Sequence, residues 1–458
     1  MLLNRIAKFL LLVMVFLTVF PHCLKLNTPS FLSLINHILS DSDNSNNNNS
    51  GSSGNTFTPA IGVLDTSFNF PNGFIIQPIG SFDDYGHSLA IQPDGKILLG
   101  GTCDGGSGMD LCIARLNSDG TFDINFGNSG IVIQPIGSSD DLGFSLAIQP
   151  DGKILLGGDC YNGSNNDFCI ARFNSDGTLD TTFGSPNGYK IQSIGSSDDY
   201  GFSLAIQLDG KILLGGSCYN GSNDDFCIAR FNSNGTLDTT FGTSGKVIQP
   251  IGSSNDWGRS LVIQPDGKIL LGGNCSGDFC IARFNSDGTL DTSFNSSGKV
   301  LQPIGSSFDW GRSLAIQPDG KILFGGECIN GIINSDFCIA RFNSNGTLDR
   351  TFGNSGKVIQ SIGSFYDAGQ SLAIQPDGKI LFGGECIDGI INSDFCIARF
   401  NSNGTLDNSF GNGGKVIQPI GSLDDEGYSL AIQPDGKILL GGYCDNGSNY
   451  DFCIARFQ

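Results

Sequence analysis

"SLAIQPDGKILLGG", from Ser88 to Gly101, is written again, with one or two letters changed at most, from Ser145, Ser203, Ser260, Ser313, Ser371 and Ser429. The Asp-Gly turn inside it dates the copies: Asp94, Asp151, Asp209, Asp266, Asp319, Asp377 and Asp435 lie 57, 58, 57, 53, 58 and 58 residues apart. The chain of 458 residues is therefore a sevenfold array, and the usual allowance of about 150 residues per domain does not apply to it.

Each unit contains four runs that read as strands. "SLAIQ" alternates and ends at Pro-Asp-Gly, "KILLGG" is a short run of buried type, "DFCIARFN" alternates again, and "GKVIQPIG" is a fourth apolar run between glycines. Helical periodicity is absent from every unit. Four short, sequentially paired strands per unit predict the blade of a β-propeller, in which neighbouring blades cover each other's faces and ring closure removes open edges. A β-solenoid competes, but its rungs are shorter and both of its ends need caps. The array's ends favour closure. Six units run from the "ARFNS" segment into a "TLD" segment, written "ARLNS" and "TFD" in the first, whereas the seventh stops at Phe457 and Gln458. The missing half stands at the other end, as "GVLDTSFNFPNGFIIQPI" over residues 62–79. The expected fold is an all-β, seven-bladed β-propeller, spanning 59–458, whose N-terminal strand completes the last blade.

"QPDGKIL", "IARFNSDGTLDTTFG" and "SSDDYG" resemble the tandem delta-60 repeats of bacterial exported proteins, and the resemblance covers residues 62–458. It implies a propeller-like body on a secreted or cell-surface protein and brings no catalytic residue set. The paired cysteines depart from the usual repeat.

Fourteen of the 15 cysteines fall as one pair per unit. The pairs are Cys103 and Cys112, Cys160 and Cys169, Cys218 and Cys227, Cys275 and Cys280, Cys328 and Cys338, Cys386 and Cys396, and Cys444 and Cys453. Each pair brackets the loop between the second and third strands, where opposed positions come within disulfide reach. Two thiolates without a histidine supply half a zinc tetrahedron, so the pairs read as disulfides of an exported protein.

Arginines 115, 172, 230, 283, 341 and 399 each precede an aspartate by eight residues: Asp123, Asp180, Asp238, Asp291, Asp349 and Asp407. A three-residue turn midway sets each arginine across from its aspartate as a structural ion pair. An arginine triad of the sialidase kind would break the repeat, which these do not. Arg456 has no aspartate after it, so its partner is expected to be Asp65, across the ring closure.

The N-terminus reads as a targeting segment. Arg5 and Lys8 precede an apolar run from Phe9 to Phe20, a signal-peptide core too short for the roughly 20 residues of a membrane span. Residues 1–22 are expected to be removed, and Cys23 either carries a lipid, anchoring the protein at the cell surface or outer membrane, or is a plain residue of a secreted chain. Residues 23–58, with "DSDNSNNNNSGSSGN" from Asp41, have little to bury and read as a tether. A net charge of -20 excludes nucleic acid as a partner. A single chain that closes its own ring predicts a monomer, with membrane contact only through the anchor.

Residues written seven times serve the ring, so function is sought where the repeat fails. The acidic connectors, with Asp83, Asp84, Asp140, Asp141, Asp198, Asp199, Asp424 and Asp425, make calcium conceivable, although such runs more often cap their own turns. No other cofactor or metal is expected. The sharpest asymmetry is "NDWGRS" and "FDWGRS": both tryptophans of the chain, Trp257 and Trp310, each followed at two residues by Arg259 and Arg312. Beside them the loop from Cys275 to Cys280 is the shortest of its kind, which predicts a notch in the rim. These four residues are the expected ligand-binding patch, for a protein or glycan, against the alternative that each Trp packs between blades. A surface binding or adhesion module is the first expectation. A carbohydrate hydrolase or lyase is the second, disfavoured by a single propeller histidine, His87, and by the lack of carboxylate pairs outside repeated positions. A purely structural surface protein is the third.

Overall fold

The computed structural model describes residues 61–458 apart from positions 107, 138, 332–333 and 390–391. The expected signal peptide over 1–22, the tether over 23–58 and the lipid site at Cys23 lie outside the described residues. Within them, 28 strands form seven four-stranded antiparallel sheets. The first sheet is β2 (Asp84–Ile91), β3 (Ile97–Asp104), β4 (Met109–Leu116) and β5 (Ile131–Gln134), in that order from the axis outward. The last is β26 (Asp425–Ile432), β27 (Ile438–Asp445) and β28 (Tyr450–Phe457), with β1 (Phe74–Gln77) as its outer strand. The expected closure is therefore present, with Phe74 facing Ala455 and Gln77 facing Phe452.

The repeated letters have separable tasks. In "SLAIQ" the serine joins neighbouring blades, because its Oγ accepts the N–H of the leucine one blade on. Ser88 takes Leu146 at 3.0 Å, and Ser429 takes Leu89 at 2.9 Å, so the link runs round the ring without a break. In "KILLGG" the apolar residues are fully buried between blades: Leu98, Leu111 and Ile113 of the first blade meet Leu146, Ile154, Leu156 and Phe173 of the second. Seven such clusters, one per interface, replace a single central core. The two glycines are steric requirements. A Cβ on Gly100 would sit 2.6 Å from Leu146 of the next blade, and one on Gly101 would sit 1.9 Å from the Tyr85 carbonyl oxygen.

All seven disulfides form, with Cα separations of 5.7–5.9 Å. They do not join directly opposed residues. Cys103 faces Asp110 and Cys112 faces Gly101, so each bridge runs diagonally across the ladder, and the side-chain-free glycine leaves it room. Seven bridges mark an exported chain, since they form and persist in an oxidising compartment. No helix among the described residues is long and apolar enough to cross a membrane.

Every expected Arg–Asp pair is made at 2.7–2.9 Å, including Arg456 Nε to Asp65 Oδ2 at 2.9 Å. The guanidinium also lies over a phenylalanine ring, as Arg283 does over Phe294 at 4.5 Å, and in every corner but that of Arg399 its Nη1 reaches a serine carbonyl of the next blade among the described residues, as Arg283 reaches Ser344 at 2.6 Å. The same three contacts hold Arg456, whose next-blade carbonyl is that of Ser118 in the first blade.

Candidate functional site

The connectors between blades and the loops between second and third strands share one face, as expected. Their aspartates are engaged locally. Asp84 is fully buried and accepts the N–H groups of Ile79 and Gly80, and Asp140 accepts the N–H of Met109 in the preceding blade. The described residues hold no cluster of three or more His, Cys, Asp or Glu side chains arranged to take a metal ion. Of each connector pair, the second carboxylate caps its own turn, as Asp84 does, and the first ties the connector to a strand of the preceding blade, as Asp140 does.

Trp257 and Trp310 are not on the rim connectors. They belong to the innermost strands β14 (Asp256–Ile263) and β18 (Asp309–Ile316), which stand with the other inner strands around the axis. In every inner strand the register slips after the glycine that follows this position, so the next residue is bulged out of the ladder. A bulge re-aims the side chain it carries. The seven bulged residues, His87, Phe144, Phe202, Arg259, Arg312, Gln370 and Tyr428, form an inner ring. His87 lies 5.0 Å from both Phe144 and Tyr428, Phe144 lies 5.1 Å from Phe202, and the Arg259 guanidinium carbon lies 4.0 Å over the Phe202 ring. One arc of this ring is aromatic. The other, from Arg259 through Gln370, is polar.

The expected notch beside the short loop is occupied. The exposed ring of Phe308 lies against Gly277 of that loop and stacks on Trp310 at 6.1 Å between centroids. Trp257 packs against Tyr200 at 5.8 Å, and both tryptophans are half-buried. The arrangement thus gathers Trp257, Arg259, Trp310 and Arg312 on adjacent inner strands, at the channel instead of at a rim gap.

A second set of residues, which the motif reading passed over, faces this arc. The residue between the paired glycines and the first cysteine is Thr102, Asp159, Ser217, Asn274, Glu327, Glu385 or Tyr443. It lies opposite the tryptophan position: Trp310 faces Glu327 in register, and Ala368 faces Glu385. Where it is a hydroxyl it serves the ring, as Thr102 and Ser217 accept the N–H of Gly143 and Gly258 in the next blade. Where it is a carboxylate it does not. Asp159 is buried with neither oxygen hydrogen-bonded, and buried Glu385 accepts from Gln370 through Oε1 and leaves Oε2 without a partner. Glu327 is occupied, taking Arg312 Nη2 at 2.7 Å and the Tyr366 hydroxyl at 2.8 Å. Glu426, at the tryptophan position of the last blade, accepts from Tyr443 at 2.5 Å and Tyr428 at 3.1 Å. These four carboxylates stand outside the repeated positions, in different blades. The available signal was one variable letter inside the otherwise constant "KILLGG–C" run.

Burial governs the electrostatics here. It pushes Asp159 and Glu385 well above the usual carboxylate range, with Asp198 adding to the first and Glu426 and Glu327 to the second. Both carboxyls are thereby biased toward the protonated form. Arg259 is lowered to about 10 by burial and by its neighbour Arg312, and stays charged. Burial lowers His87 to about 4, so its imidazole is neutral.

The family described as "Domain of unknown function (DUF5122) beta-propeller" matches residues 92–126, 149–183, 207–241, 264–294, 317–352, 375–410 and 433–458, one stretch per blade and half of the chain. The chain belongs to this family. Six of the stretches matched to the DUF5122 propeller run from the hairpin turn to the corner phenylalanine under the arginine, and the seventh ends at 458, short of Phe68 under Arg456. Trp257, Arg259, Trp310 and Arg312 fall between them. No curated protein matches the chain in sequence. Among solved structures it is similar to virginiamycin B lyase from Staphylococcus aureus, with a TM-score of 0.51 and 14% identity over 84% of this chain and 99% of that one. A streptogramin B lyase gives 0.51 and 14% over 84% and 98%. At that identity the likeness is one of fold.

Proposed function

We propose that this exported propeller is a recognition module, and that its ligand enters the central channel from the connector face to meet the polar arc of Trp257, Arg259, Trp310, Arg312 and Glu385. One observation carries the reading. Asp159, Arg312 and Glu385, at positions where the repeat fails, each keep a buried polar atom without a hydrogen-bond partner, whereas the others among the described residues belong to the repeated glutamines Gln149, Gln317 and Gln375 and to the Asp65–Arg456 ion pair. Two half-buried tryptophans stand at the same place, and Trp and Arg are enriched where binding energy concentrates. Recognition without covalent chemistry fits this set better than hydrolysis or elimination. The one channel histidine is packed between Phe144 and Tyr428 with its proton affinity depressed. A glycan array probed with the intact protein, beside its Trp257→Ala and Trp310→Ala variants, tests the proposal. Binding that both variants weaken at least about tenfold supports it, at the scale of a hot-spot residue. Binding unaffected by either variant, or turnover of an arrayed sugar, sinks it.

A further inference from the structure

Arg259 has no ion-pair partner within 4.0 Å and donates no hydrogen bond among the described residues. Its plane is held instead by aromatic faces, 4.0 Å above Phe202 and 5.6 Å from Trp257. Stacking fixes the guanidinium while leaving the N–H fork at its edge free, and that fork matches a planar carboxylate in two parallel hydrogen bonds. Its neighbour in the ring is Arg312, which spends Nη2 on Glu327 and keeps a buried Nε with no acceptor. Two adjacent, largely buried guanidinium groups repel each other, and an anion between them reverses the sign of that interaction.

We infer that the channel receives its ligand through a carboxylate seated against Arg259 and Arg312, and that the ligand is the uronate residue of an acidic glycan. This rests on the recognition reading above and names the chemistry of that site. The sugar is argued from what stands around the arginines. Trp257 and Trp310 supply half-buried flat faces on the same two strands, suited to the apolar face of a pyranose ring. The two nearby carboxyl groups with unpartnered oxygens, Asp159 and Glu385, would oppose an anion if ionised. Burial raises the proton affinity of both, which weakens that opposition.

Isothermal titration of the full chain with free glucuronate, glucose and sulfate tests the assignment. Glucuronate is expected to bind at least about tenfold more tightly than glucose, as hydrogen bonds to a charged group require. Arg259→Met is expected to remove that preference. Because Arg312→Met alone strands Glu327, its role is tested in the double variant Arg312→Met/Glu327→Gln, with the thermal midpoint of each variant confirming the fold. Glucose bound as tightly as glucuronate, or a glucuronate affinity unmoved by Arg259→Met, overturns the uronate assignment. Sulfate bound as tightly as glucuronate also overturns it, leaving an anion site without sugar selectivity. The array with Trp257→Ala separates the two levels. Neutral-glycan binding that needs Trp257 and ignores Arg259 keeps the recognition module and removes the acidic ligand.

Discussion

Arg456, in the last strand of the chain, pairs with Asp65, near the first described residue, at 2.9 Å. Asp65 also meets Lys437 at 3.0 Å, and its burial is overcome by the Ser67 hydroxyl and these two cations, which hold its carboxyl well below the usual range. This corner repeats the six made within single units, such as Arg283 with Asp291 at 2.8 Å. Asp65→Ala is therefore expected to cost what Asp291→Ala costs. Each leaves a buried guanidinium uncompensated, about 3–5 kcal/mol. Urea unfolding of both variants checks it, and a markedly smaller loss for Asp65→Ala would mean the closure is the weak joint of the ring.

The serine of "SLAIQ" allows a finer comparison of the same joint. Ser429→Ala removes the acceptor of the Leu89 N–H across the closure, and Ser313→Ala removes that of Leu372 between two internal blades. Each strands one backbone N–H, at about 1–3 kcal/mol. The two shifts in thermal midpoint are expected to agree, and a difference would locate unequal interfaces.

Stability should depend on pH in two opposing ways. Burial acts to raise Asp407, but the Ser409 hydroxyl and N–H and the Arg399 charge hold it at about 2. An unfolded aspartate titrates near 4, so this corner's contribution is complete above about 4 and is lost as pH falls through about 2. Asp199 is the reverse case. Burial raises it to about 7 against the N–H bonds of Ile194 and Gly195, and Asp84, Asp367 and Asp425 reach about 6. Their contribution is full below about 4 and is lost as pH rises through about 6 to 7. Thermal scans should show greatest stability near pH 4, falling on both sides, with Asp199→Asn flattening the decline toward neutrality because an amide oxygen still accepts the two N–H groups.

The bridge between Cys275 and Cys280 closes the shortest loop, with a separation of 5 residues against 9 or 10 elsewhere. Loop entropy gives about 2 kcal/mol for it and about 2.6 kcal/mol for the others. The Cys275→Ser/Cys280→Ser double variant should remain folded and lose slightly less stability than Cys160→Ser/Cys169→Ser. Denaturant midpoints measured without reductant check the order.

The blade, the closure and the disulfide pairs were legible because each is written as a spacing that recurs. Asp65 could be named as the partner of Arg456 because six other units displayed the complete corner. The inner ring was not legible in the same way. The "WGR" segments stood out by their rarity, but their placement in strands, with the arginine on a bulge, depends on a register slip that ladder geometry imposes between Gly258 and Ser260. The short Cys275–Cys280 loop predicted a gap, and Phe308 from the next connector lies over it. Asp159, Glu327 and Glu385 escaped notice because each differs by a single letter within a repeated strand.

By itself the sequence determined the periodic part of this protein: seven blades, the partner of every blade cysteine and corner arginine, and the head-to-tail joint. Those follow from distances along the chain, which recurrence makes readable. Only the tertiary structure decided which non-repeated side chains share the axis, because they lie in different blades and meet solely through ring closure, where burial raises the proton affinity of Glu385 and Arg259 is left without an acceptor among the described residues.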